Sequence, residues 1–153
     1  MSTLKDRLRA DLTTAMKARD TVRSSTLRMV LTALTNAEVA GSTAKELTDD
    51  EVVGLLATEA KKRREAATAF EEGGAADRAD KERAEAAVIA EYLPQQLSEA
   101  EIGELVTATI AELGVADEGP RAMGKVMGAL QPRVKGRADG AVVAAEVRRQ
   151  LGA

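Results

Sequence analysis

The sequence predicts an all-α fold: an N-terminal four-helix bundle-like domain followed by a small three-helix C-terminal domain. Three observations lead there. No stretch alternates apolar and polar residues as a half-buried strand does. Apolar residues instead recur at three- and four-residue spacing along most of the chain. The apolar fraction is 44%, yet Phe70 and Tyr92 are the only aromatics, so the core must be built from aliphatic side chains and alanine, which suits closely packed helices.

The first helix is expected after Thr3, an N-cap with Asp6 three residues on. Leu4, Leu8, Leu12 and Ala15/Met16 form its apolar face. The polar run Lys17 to Asp20 separates it from a second helix, about Thr21 to Ala40, that turns Leu27, Val30, Leu31, Leu34 and Ala37 inward. Gly41 is placed to end this helix in a left-handed conformation.

Leu47-Thr48-Asp49-Asp50-Glu51-Val52 reads as a capping box, with Thr48 and Glu51 as the reciprocal pair and Leu47 stapled to Val52. The third helix should run to Glu72 and break at Gly73-Gly74, with Val52, Leu55, Leu56, Ala60, Ala67 and Phe70 inward. A fourth, alanine-rich helix spans about Ala76 to Tyr92. Leu93-Pro94 stops it, because a residue before proline disfavours the helical region.

The capping signature then recurs as Leu97-Ser98-Glu99-Ala100-Glu101-Ile102. The fifth helix carries Ile102, Leu105, Val106, Ile110 and Leu113 to Gly114. Pro120 suits the first turn of a sixth helix, with Met123, Val126, Met127 and Leu130 as its stripe and Gln131-Pro132 as its end. Asp139 caps a seventh helix bearing Val143, Val147 and Leu151. The natural division is at Pro94, giving domains 1–94 and 95–153.

Composition narrows the chemistry. The chain has no cysteine and no histidine, which excludes disulfides, thiol nucleophiles, histidine-dependent triads and soft metal sites. No spacing of Ser, Thr, Tyr, Lys or carboxylates assembles a catalytic set, so no activity of the chain by itself, no catalytic residue and no cofactor is expected; the acidic helix faces leave a carboxylate-only Mg²⁺ site open. No apolar run approaches the roughly 18 residues of a membrane span, and the N-terminus lacks the apolar core of a secretory signal. A cytoplasmic setting follows as the expectation.

One stretch stands apart from this acidic background of 22 basic and 25 acidic residues. Between Pro120 and Ala138 lie Arg121, Lys125, Arg133, Lys135 and Arg137 without an acid, together with Gly124, Gly128 and Gly136. Gly119 to Val126 nearly spells a phosphate-binding P-loop, but Val126 stands where Ser or Thr must hold magnesium, and no strand precedes it. Gly124 and Gly128 admit two readings: close approach of a phosphate, or tight packing of the sixth helix on its neighbours, which is preferred. The turn Arg133-Val134-Lys135-Gly136-Arg137 presents alternating cations just before a helix N-terminus, where an anion is favoured. The run Lys61 to Arg64 covers more than a helical turn, so its four side chains cannot all meet one phosphate strand. With almost no aromatics, any nucleic acid would be held by phosphate and shape rather than by base stacking.

Several strings together carry a resemblance. They are Ala15-Met16-Lys17-Ala18-Arg19-Asp20, Arg28-Met29, Lys62-Arg63-Arg64-Glu65, Tyr92-Leu93-Pro94-Gln95-Gln96-Leu97-Ser98, Met123-Gly124-Lys125-Val126-Met127 and Lys135-Gly136-Arg137-Ala138-Asp139-Gly140. In that order and spacing the chain resembles the GatB/YqeY family over essentially its whole length. The resemblance implies two helical domains, the second similar to the tail domain of the B subunit of the tRNA-dependent amidotransferase, a carbon–nitrogen ligase that takes its amide nitrogen from glutamine. It further implies a stand-alone tRNA-binding helper, with Lys125, Arg133, Lys135 and Arg137 as the phosphate contacts. Two alternatives stay open: an adaptor that docks on an amidotransferase or aminoacyl-tRNA synthetase without touching RNA, and a catalytic amidotransferase component.

Overall fold

The computed structural model describes residues 2–152, and these residues form seven α-helices with no strand among them. The helices are α1 (Thr3–Lys17), α2 (Thr21–Val39), α3 (Asp49–Glu72), α4 (Ala76–Ala90), α5 (Glu99–Leu113), α6 (Met123–Val134) and α7 (Gly140–Leu151). A short 3-10 turn, Gly119–Ala122, leads into α6. The fold is all-α, and the chain divides into two compact units, Met1–Leu93 and Pro94–Ala153.

In the first unit, α3 and α4 form a long antiparallel hairpin against which α1 and α2 pack. Its core holds Leu8, Leu27, Val30, Leu34, Val52, Leu56, Ala60 and Ile89 at almost zero exposure. The expected capping box starts α3: the Thr48 hydroxyl accepts from the Glu51 N–H at 3.2 Å, and the Glu51 carboxylate accepts from the Thr48 N–H at 3.1 Å. Tyr92, just past α4, is buried, its hydroxyl donating to Asp11 at 2.6 Å beneath the Arg7 guanidinium. Burial and the Asp11 carboxylate push that phenol up to about 12.

Three boundaries of this unit differ from expectation. The N-cap of α1 is Ser2, whose hydroxyl accepts from Lys5 N–H and donates to Asp49; Thr3 is the first helical residue, and its hydroxyl also donates to Asp49. Helix α2 closes at Ala40 in right-handed backbone, and Gly41 does not adopt positive φ. The carbonyl of Glu38 is reached instead by Lys45 N–H at 3.0 Å, so no left-handed glycine is needed there. Helix α4 ends at Ala90 because Glu91, Tyr92 and Leu93 each bond three residues back, tightening the chain ahead of Pro94.

In the second unit, α5, α6 and α7 enclose Ile102, Val106, Ile110, Val126, Leu130, Val143, Val147 and Leu151. Ser98 and Glu101 form a complete capping box, and Gly114 ends α5 at φ 66, where a side chain would be strained. Helices α5 and α7 are stitched by Gln150, whose amide donates to the Gly103 carbonyl at 2.9 Å and accepts from Thr107 at 2.8 Å. Gln131-Pro132 does not end α6, which continues to Val134. The proline lacks the N–H that would reach the Gly128 carbonyl, and both residues lie on the exposed face of the helix. Burial of Val134, 5% exposed, holds the last turn in place.

Candidate nucleic-acid interface

Burial of Val126 and Leu130 fixes the orientation of α6 and turns Gly124, Lys125, Gly128, Gln131 and Pro132 to solvent as one stripe. A Cβ built on Gly124 or Gly128 would meet nothing within 4 Å. The packing reading of these glycines is therefore overturned. A Cβ at either would meet neither α5 nor α7, and Gly128, inside the helix, costs about 0.5–1 kcal/mol of helix stability relative to alanine with no return in packing; Gly124, in the first turn, costs less. What they provide is a bare helical backbone open to an approaching group.

Cations frame this stripe. Arg121 lies in the 3-10 turn before α6 and is exposed; Lys125 is exposed one turn further on. Lys135 follows the helix and is also exposed. None of the three forms an ion pair among the described residues. Lys125 and Lys135 are ten residues apart, so they stand about 15 Å apart along the helix axis and act at opposite ends of the stripe. Arg121 was not singled out from the sequence, although its place in the acid-free stretch was the available signal.

The remaining two predicted residues are differently placed. Arg133 is not part of a free turn: it lies in the last turn of α6, donating to Glu112 at 2.8 Å and to the Thr109 hydroxyl at 3.2 Å. Its charge is largely neutralised within the unit. Arg137 is half-buried, with Nε donating to the Gln95 carbonyl at 3.2 Å and its terminal nitrogens without a hydrogen bond among the described residues. Gly136, at φ 73, makes the bend between Lys135 and Arg137 that a side chain would resist.

The N-terminus of α7 is not an open anion site. The Asp139 carboxylate accepts from Ala141 N–H at 2.9 Å and already supplies the negative charge that this helix end favours. An external phosphate must be held by side chains and the α6 backbone instead. The run Lys61 to Arg64 also divides: Arg63 is 9% exposed and faces the interior, while Lys62 and Arg64 remain exposed.

A family model described as YqeY-like protein matches residues 5–151. The chain belongs to this family. It is 31% identical over 151 residues to "Altered inheritance of mitochondria protein 41, mitochondrial" from Pyrenophora tritici-repentis (strain Pt-1C-BFP). That match spans 96% of this chain and 80% of the relative. Among the described residues of this YqeY-like chain, no helix is long and apolar enough to cross a membrane, and no three carboxylates converge as a metal site.

Proposed function

We propose that this YqeY-like protein is a stand-alone tRNA-binding accessory protein whose α6 face receives a sugar–phosphate backbone. The observation that carries the reading is the solvent-facing pair Gly124 and Gly128, bare of neighbours and framed by Arg121, Lys125, Lys135 and Arg137. Glycines that lower helix stability without aiding packing are explained by a ligand that must come close to the backbone. The surrounding cations match a polyanion, and the lack of exposed aromatics favours phosphate contacts over base readout. The resemblance of the C-terminal part to the tail domain of the amidotransferase B subunit makes tRNA the polyanion of choice. A cytoplasmic setting, or a mitochondrial one as in the name of the relative, is compatible with such a role.

The test is a filter-binding titration with total tRNA across a range of salt concentrations. Saturable binding whose affinity falls with salt supports the proposal. Absence of binding at low salt overturns it and leaves the protein–protein adaptor as the better reading. Ammonia release from glutamine by the repurified chain would point instead to the catalytic reading.

A further inference from the structure

The basic turn after α6 is not held by α6 alone. Three hydrogen bonds tie it to the segment Pro94–Leu97, the start of the second unit, and a fourth braces that segment internally. Leu97 N–H donates to the Arg137 carbonyl at 2.8 Å. The Gln96 side-chain amide uses both of its hydrogens on carbonyls, Gly136 at 2.7 Å and Pro94 at 3.0 Å. Arg137 Nε returns a bond to the Gln95 carbonyl. Within the turn, Arg137 N–H and Ala138 N–H both reach the Val134 carbonyl, at 2.8 and 3.1 Å.

These bonds have an electrostatic consequence for an anion. A turn with positive φ at Gly136 has several conformations of similar energy, and in many of them carbonyl oxygens would face an approaching phosphate. Here the Gly136 and Arg137 carbonyls are directed at Gln96 and Leu97, leaving Lys135 and the outer nitrogens of Arg137 for the anion. Restricting the turn beforehand also removes an entropy loss that binding would otherwise incur. The neutral amide of glutamine supplies two donors to two carbonyls at once; a glutamate would oppose both.

We propose that Gln96 is a positioning residue for the phosphate contacts of Lys135 and Arg137, an inference that rests on the RNA-backbone reading above. Gln96 touches no ligand. It acts by fixing the turn that presents the two cations.

The test uses the full chain, total tRNA and the variant Gln96→Met, which keeps side-chain length and removes both donors. Affinity should fall about fivefold, the worth of one net hydrogen bond. The salt slope should stay at the parent value, because the number of phosphate contacts is unchanged. Amide exchange at Arg137 and Ala138 should accelerate, while the melting temperature stays close to the parent's. In the background of Lys135→Ala with Arg137→Ala, Gln96→Met should have no further effect, since its action runs through those cations. Parent-like affinity of Gln96→Met, alongside weakened binding by the double cation variant, would overturn the positioning role and leave RNA binding standing. A fully additive loss would also overturn it, by showing a general structural effect. If the double cation variant binds like the parent, the turn does not contact phosphate, and the positioning role and this turn's part in RNA binding fail together.

Discussion

The Arg63 guanidinium lies 3.4 Å from the Glu85 carboxylate inside the first unit, with the two side chains only 11% and 8% exposed. This pair joins α3 to α4 where most of the core is aliphatic. Arg63 Nη1 also donates to the Glu59 carboxylate and carbonyl, and Nη2 lies 3.9 Å from Met29 Sδ. Its Nε is buried and, although within ion-pair range of Glu85, makes no hydrogen bond. Replacing Arg63 by Met should cost about 3–5 kcal/mol, because Glu85 is left buried without its counter-charge. Adding Glu85→Leu should recover most of that loss, and chemical denaturation of the single and double variants measures both.

The acid side of the stability curve has an identifiable contributor in the second unit. Hydrogen bonds from Arg149, and then from Gln150, hold the Glu146 carboxyl at about 2, well below its ordinary 4.5. A folded-state value below the unfolded one means that the stabilisation is present above pH 4.5 and is lost as pH falls toward 2. Glu146→Gln should therefore lower stability at neutral pH and flatten the decline between those two values. The effect should shrink in high salt, because Glu146 and Arg149 pair at the surface. Thermal melts at pH 7, 4 and 2.5 in low and high salt provide the measurement.

Alanine at Gly124 and Gly128 should move stability and binding in opposite directions. Alanine at the exposed, mid-helix Gly128 should add about 0.5–1 kcal/mol, and at Gly124 in the first turn less, since nothing lies within 4 Å of either to clash. The same methyl groups stand where the phosphate backbone would approach, so tRNA affinity should fall. A larger side chain, as in Gly128→Leu, should reduce it further without changing net charge. A stabilised variant that binds tRNA as tightly as the parent would remove the glycines from the interface.

Local signals made much of the fold legible. The capping boxes at Thr48 and Ser98 depend on residues three apart, and both occur as the sequence implies. The orientation of α6 was also within reach: Val126 and Leu130 are each two positions from Gly128, roughly 200° around a helix, so burying them exposes that glycine. The partly buried Met123 and Met127, each next to one of the glycines, mask this phase in the sequence. Arg63 shows the same problem in α3, where it sits between Ala60 and Ala67 on the inward face while its cationic neighbours point out. The Arg133–Glu112 contact is different. Its partner is 21 residues away on α5, and no local pattern announces it.

That contact separates the four predicted cations in a way binding can read. Arg133 is committed to Glu112 and Thr109, whereas Lys125 and Lys135 carry exposed charge with no ion pair among the described residues, and the outer nitrogens of Arg137 make no hydrogen bond among them. Replacing Lys125, Lys135 and Arg137 together by Gln should weaken tRNA binding and flatten its salt dependence. If each releases one phosphate counterion, parent affinity should fall about 40-fold more than the variant's between 50 and 200 mM salt, on the duplex slope of about 0.9 per contact. Helicity should be unaffected, since exposed charges contribute little to folding. Arg133→Gln should do the reverse: a stability loss of at most about 1 kcal/mol from the half-exposed Glu112 pair, and a salt slope equal to the parent's. The triple variant should weaken different tRNAs alike, because phosphate contacts carry no sequence information. Loss of one tRNA alone would indicate base readout by these side chains. A flattened slope in Arg133→Gln would mean that the Glu112 pair opens on binding, adding Arg133 to the phosphate contacts.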